Sequence, residues 1–175
     1  GVMDFDDLLH LWKRVMVEHD DIQERFSKRF EHVLVDEFQD TNRIQCELVD
    51  MMASGHGNLM VVGDDCQSIY SFRGAEFRNI LEFPDRYPGC RVQRLETNYR
   101  STPQVLSLAN RSIARNAKQF PKALHAVRGD GPLPAMVTCR TEGQQAAFIA
   151  NRILDLVDED VPLDKIAVLY RAHWH

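Results

Sequence analysis

Short apolar runs alternate with amphipathic stretches along the chain, and the alternation predicts helices and strands in turn. Leu8, Leu9, Leu11, Trp12, Val15 and Met16 recur at helical spacing over residues 4–18. Asp4, Asp6 and Asp7 head that stretch, where a helix dipole favours acids. A second short helix over 21–30 sets Ile22, Phe26 and Phe30 on one side. At Val33-Leu34-Val35 the period changes, and three apolar residues, two of them β-branched, predict a buried parallel strand. Thr41-Asn42 offers a cap for a helix over about 43–53, which Ser54-Gly55-His56-Gly57 ends. Leu59-Met60-Val61-Val62 predicts a second buried strand, closed by Gly63-Asp64-Asp65. Two strands joined by a helix predict a parallel βαβ unit with both carboxyl ends on one edge.

Further along, residues 76–87 predict a helix broken near Pro84, and 91–95 a more polar strand. Ser101 or Thr102 offers a cap for a helix over 103–118, with Pro103 in its first turn. Residues 120–134, containing Gly129-Asp130-Gly131-Pro132, read as a linker or loop. Residues 135–139 predict a strand, 142–157 a helix and 165–171 a final buried strand, so a second βαβ unit is begun and not finished. The class this predicts is α/β, a parallel sheet with flanking helices.

The first strand runs directly into two carboxylates, Asp36 and Glu37. Ligands bind at the carboxyl ends of strands in open α/β sheets, and a paired acid there suits a Mg²⁺ ligand beside a base for a water. Two solvated acids at a surface strand end are the other reading, and the five residues Asp36–Asp40 leave both open. The stretch from Cys66 to Ala75 mixes Gln67, Tyr70, Phe72 and Arg73. Aromatics beside a basic residue suit stacking on unpaired bases; core packing of Ile69, Tyr70 and Phe72 under a loop is the alternative. Arg111, Arg115, Lys118 and Lys122 follow at three- and four-residue steps, the first three on one helical face, a solvated face or a phosphate-tracking one.

Composition narrows the class. A chain of 175 residues, 44% hydrophobic and 27% charged, has enough apolar material for a core. No apolar run approaches the roughly 20 residues of a membrane span, and no secretory segment opens the sequence. Gly1 to Phe5 reads as the interior of a longer sequence. Cys46, Cys66, Cys90 and Cys139 are widely spaced without a CxxC pair, which argues against zinc and fits reduced thiols in a cytoplasmic protein. The net charge of −5 argues against binding nucleic acid by bulk electrostatics. The charge is uneven, because residues 103–129 carry five basic and no acidic side chains. No GxxxxGK[ST] phosphate cradle is present, so the chain either does not hydrolyse nucleotide or is one piece of a protein that does.

Three blocks taken together resemble helicase motifs II, III and IV: Val35–Asn42, Val62–Ala75 and Leu95–Ser101. Their order and spacing are similar to those of the UvrD/Rep/PcrA branch of superfamily 1 DNA helicases. Asp4–Leu9 resembles the segment before motif II, and Ala167–Arg171 the strand before the large insertion domain, so the resemblance covers essentially the whole chain. It implies an internal fragment with a RecA-like fold. Residues 1–102 would be the later part of the first RecA-like domain and 103–175 the beginning of the second. The Walker A motif, most of the 1B insertion, the 2B insertion and motifs V and VI would lie outside.

The whole protein would be an ATP-dependent 3′-to-5′ translocase acting on single-stranded DNA and its junctions with duplex, in DNA repair or a related process, and the fragment alone would be inactive. By resemblance, Asp36 is the Mg²⁺ ligand and Glu37 the base that activates water. Gln67 senses the γ-phosphate, Tyr99 stacks on adenine and Arg100 stabilises transition-state charge on the γ-phosphate. Tyr70 and Phe72, with Arg73, contact DNA. Many relatives carry Trp where Phe72 stands, and Phe keeps the π-face with less area. Two other expectations are the helicase part of a RecB- or AddA-type helicase–nuclease, and a DNA-binding module with a degenerate nucleotide site. The intact Asp36-Glu37 pair and Arg100 favour a working enzyme over the degenerate module.

Overall fold

The computed structural model describes residues 2–171, and of Arg73 the backbone alone. The described residues fall into two units, one ending at Gly131 and the other beginning at Pro132.

The first unit opens with helix α1 (Phe5–Glu18), whose start is fixed by reciprocal capping. The Asp4 side chain accepts the Asp7 amide at 2.8 Å, and the Asp7 carboxylate accepts the Asp4 amide at 3.2 Å. The acids that open the chain are therefore helix-start acids. Helix α2 (Asp20–Arg29) follows, and both helices pack on α3 (Arg43–Ala53). Met16 is fully buried there, Trp12 and Phe26 meet at 6.1 Å, and Lys13 pairs with Glu47 at 2.6 Å. Asn42 caps α3 by the same reciprocal device, with Gln45 as its partner.

Strand β1 (Val33–Val35) pairs in parallel with β2 (Leu59–Val61), Val33 opposite Leu59 and Val35 opposite Val61. The βαβ expectation holds, and with this register both strands end on the same edge. The pairing continues one step beyond the strands: the Val62 amide donates to Val35 O at 2.8 Å and the Phe38 amide to Val62 O at 3.0 Å. Beneath that edge lies the core cluster of Phe38, Cys46, Ile80 and Phe83. Phe38 meets Phe83 edge-on at 5.6 Å, a favoured aromatic geometry. Short helices α4 (Arg78–Leu81) and α5 (Phe83–Arg86) bring Ile80 and Phe83 there, so the expected helix over 76–87 is two pieces divided at Glu82. Asp50 of α3 ties down this end by accepting from both Arg86 and the Tyr87 hydroxyl.

Several expectations require correction. The strands are covered on one face only: Leu34 is 71% and Met60 57% exposed, so β1 and β2 are half-buried. Residues 91–95 form no strand; pairing begins later, where β3 (Thr97–Asn98) runs parallel to β4 (His125–Ala126), inside the expected linker. Helix α6 (Pro103–Ile113) stops five residues short of the expected end. Its first turn is not capped by a Ser101 or Thr102 hydroxyl; in the turn before it, the Asn98 side chain accepts the Arg100 and Ser101 amides at 2.9 and 2.7 Å.

In the second unit, α7 (Glu142–Asp158) forms as expected, with the Thr141 hydroxyl accepting the Gln144 amide at 3.2 Å. Residues 135–139 and 165–171 are not strands. A strand exists through the ladder it shares, and among the described residues neither segment has a ladder partner. Met136 and Leu169 accordingly stand 95% and 94% exposed. The chain is α/β with short parallel pairings, and no described helix is long and apolar enough to cross a membrane.

Candidate functional site

The site forms where β1 and β2 end together. Asp36 and Glu37 leave β1 exposed, and Gly63-Asp64 leaves β2 beside them. Glu37 stands in the left-handed region at φ 50°, which costs a non-glycine residue about 1–2 kcal/mol. Three contacts hold it there. The Asp36 carboxylate accepts the Glu37 amide at 2.9 Å, the Asp40 amide donates to Glu37 O at 2.9 Å, and Gln39 Nε2 donates to Glu37 Oε2 at 2.7 Å. Strain fixed from several sides in this way is characteristic of functional positions.

Gln39, 1% exposed, is the hub. Its Nε2 holds Glu37, and its Oε1 accepts the Asp64 amide at 3.0 Å. Glycine at 63 makes room for it, since a Cβ there would lie 2.5 Å from Gln39 Oε1 and 2.7 Å from Ile80 Cδ1. The sequence reading missed Gln39. The available signal was an amide next to a core phenylalanine, four residues after the strand ending at Val35.

Beyond Asp64 the chain of contacts continues. Asp64 accepts from Gln67 Nε2 at 2.7 Å and from the Cys66 amide at 3.0 Å. Lys122 Nζ reaches both Asp64 and Asp65, the latter at 2.8 Å. Burial opposes charge on Asp64, but hydrogen bonds from Lys122, Gln67 and the Cys66 amide outweigh it and hold the carboxyl below its ordinary range. Burial also opposes charge on Lys122, and the two carboxylates outweigh it and push that ammonium above its ordinary value. Asp64, Asp65 and Cys66 bring three ligand-type atoms within 4.8 Å, but the ammonium of Lys122 already takes a cation's place there. Burial raises the Cys66 thiol, and all four cysteines are free.

A carboxyl held low stabilises the fold above its unfolded value and loses that contribution as pH falls through the lower folded value. The stability gap between the chain and its Asp64→Asn variant is therefore expected in full above about pH 4 and to shrink below it. Urea midpoints measured at pH 6 and at pH 3 check this.

The remaining predicted residues lie further along. Tyr70 and Phe72 are not core plugs: they are 38% and 76% exposed, with ring centroids 6.0 Å apart at 50°. The side chain of Arg73 lies outside the described ones. Tyr99 and Arg100 stand on the turn after β3, Tyr99 74% exposed. Among the described residues no hydrogen bond joins these two to the Glu37–Gln39–Asp64–Gln67 chain. The expected basic face of 111–122 is not continuous, because α6 ends at Ile113 and Lys122 is engaged with the acids. A separate groove lined by Gln23, Ser27, His32, His56 and Asn58 lies at the amino-terminal ends of the strands and holds none of the predicted residues.

Comparison with known proteins shows the family of the chain. Residues 1–88 match the UvrD/REP helicase N-terminal domain and residues 93–175 the UvrD-like helicase C-terminal domain. DNA helicase II of Escherichia coli is 39% identical over 173 residues, covering 99% of this chain and 24% of the relative. DNA helicase II of Salmonella typhimurium is 40% identical with the same coverage. The ATP-dependent DNA helicase PcrA of Leuconostoc citreum is 40% identical over 172 residues, 98% of this chain and 23% of the relative. The chain thus spans about a quarter of the length of these relatives. With its two helicase domains matched in order along nearly all of its length, the chain belongs to the UvrD/REP helicase family, whose domains have a RecA-like α/β fold.

Proposed function

We propose that the chain is an internal segment of an ATP-dependent 3′-to-5′ DNA helicase. Residues 1–102 would be the later part of the first RecA-like domain and residues 103–175 the beginning of the second. The observation that carries this reading is the hydrogen-bonded chain from Glu37 through buried Gln39 and Asp64 to Gln67. It ties the strand-end acids to the loop that bears the exposed aromatics, which is the connection a motor needs between hydrolysis and its track. The open apolar face at Leu34 and Met60 supports the segment reading, since parallel strands are ordinarily covered on both faces.

Each residue has a chemical part. Asp36 is exposed and offers a carboxylate oxygen, the hard ligand Mg²⁺ takes, so it would hold the ion. Bound there, the ion would neutralise phosphate charge. One Glu37 oxygen is engaged by Gln39, leaving Oε1 to take a proton from the attacking water. Gln67 senses the γ-phosphate, Tyr99 stacks on the adenine, and Arg100 meets charge developing on the transferring phosphoryl group. Tyr70 and Phe72 present π-faces to unpaired bases, with Arg73 beside them on the same turn. The setting is DNA repair or a related cytoplasmic process on single strands and their junctions with duplex.

Two purified proteins test this. The longer protein should hydrolyse ATP with a rate that rises on adding single-stranded DNA. The 175-residue chain, lacking GxxxxGK[ST], should hydrolyse none. A longer protein with no turnover would point to a degenerate module, and turnover indifferent to DNA would remove the helicase reading.

A further inference from the structure

Four contacts run from residues 119–122 onto the loop after β2. The Cys66 thiol approaches Gln119 Oε1 at 3.5 Å, and the Phe120 amide donates to Asp65 Oδ2 at 3.1 Å. Lys122 Nζ donates to Asp64 and, at 2.8 Å, to Asp65 Oδ1. These are not rim contacts. The Lys122 side chain is 18% exposed and that of Asp65 4%. Surface ion pairs contribute little because water screens them, whereas a half-buried ammonium between two adjacent carboxylates is bound to its place. The strap comes from the part of the chain that matches the C-terminal helicase domain, and the acids from the part that matches the N-terminal one.

The consequence falls on Gln67. Its amide donates to Asp64 Oδ2, while Oδ1 of the same carboxylate takes Lys122 and the Cys66 amide. Lys122 and the Cys66 amide together hold Oδ1 of Asp64, and the Gln67 side chain takes its direction from the other oxygen of that carboxylate. We propose that Lys122 is a positioning residue for Gln67, neutralising Asp64 and Asp65 so that the Gln67 amide is oriented toward, and released to, the terminal phosphate of a nucleoside triphosphate. Without the ammonium, two neighbouring carboxylates lose their cation. Asp64 then turns away and leaves the Gln67 amide undirected, or holds it more tightly; in neither case is the amide presented to the phosphate. This rests on the reading of Gln67 as the γ-phosphate sensor.

The test uses the longer protein carrying Lys122→Met, Lys122→Arg, Gln67→Ala and the Lys122→Met/Gln67→Ala pair. Lys122→Met should lower kcat for DNA-stimulated ATP hydrolysis about tenfold and weaken a non-hydrolysable ATP analogue several-fold, with ADP affinity unchanged. A purely structural defect would weaken both nucleotides. Lys122→Arg keeps the cation but with a bulkier planar head, and should retain more activity than Lys122→Met. The double variant should be no worse than Gln67→Ala alone, since residues acting through one another are not additive. Lys122→Gln carries the same prediction should Lys122→Met not fold. Unchanged turnover, equal loss of ADP and analogue, or multiplying defects in the double variant would overturn the proposal. Gln67→Ala that leaves the preference for analogue over ADP intact would overturn the sensor reading itself, and the proposal with it.

Discussion

Replacing Glu37 by glutamine in the longer protein is expected to lower ATP turnover about 10²- to 10⁴-fold, the range ascribed to a general base, while ATP affinity stays within about threefold. The substitution is close to isosteric, so the left-handed turn at φ 50° and the strand-end geometry survive it. The new amide keeps the contact with Gln39 Nε2 by offering its carbonyl oxygen, and its nitrogen then faces the water. The lone pair of an amide nitrogen is delocalised into the carbonyl and does not take a proton, so the water remains neutral and a poor nucleophile. Single-turnover hydrolysis and equilibrium binding of ATP, measured on the same preparation, separate the two effects. Turnover that persists within tenfold of the parent would remove the base assignment, and a matched loss of binding would make Glu37 a structural residue.

What could be read in advance was what local chemistry decides. The strand pair Val33–Val35 and Leu59–Val61 and the helix between them followed from short apolar runs and a cap offered by Thr41-Asn42. Their shared edge followed from parallel pairing. The strands expected at 91–95, 135–139 and 165–171 failed for one physical reason: an apolar run states that a segment suits a sheet, not that a neighbour is there to complete its ladder. Gln39 went unremarked, and Lys122 was read only as one of a basic series, for a related reason. Their partners lie 25 and 57–58 residues away, and side chains of these types, met in a sequence, suggest solvent more readily than a buried bridge. The aromatics were legible as a pair, yet only the structure shows that Tyr70 and Phe72 are exposed and not core plugs. Tyr99 and Arg100 were singled out only through the motif they resemble, and no hydrogen bond among the described residues joins them to the strand-end acids.

The largest stability effect is expected from Phe38→Ala. Phe38 is 1% exposed and sits between the strand edge and the cluster of Cys46, Ile80 and Phe83, with its ring edge-on to Phe83. Truncation removes a buried aromatic and leaves a cavity whose walls are set by α3, α4 and α5, a change that costs about 3–5 kcal/mol. A domain of this size has only about 5–15 kcal/mol to lose. At the usual slope of about 1–3 kcal/mol per molar, the urea midpoint should fall by roughly 2 M. Leu34→Ala is the matched control, because Leu34 is 71% exposed on the uncovered face of β1, the strand that leads into Phe38, and its loss should cost under about 0.5 kcal/mol. Phe38 lies between Glu37 and Gln39, so the same substitution should loosen the φ 50° turn before the unit unfolds. Hydrogen exchange at the amides of Phe38 and Asp64 would then rise ahead of exchange in α3. Equal urea midpoints for the two variants would show that the core lies elsewhere, and the strand-end acids would then have no rigid floor beneath them.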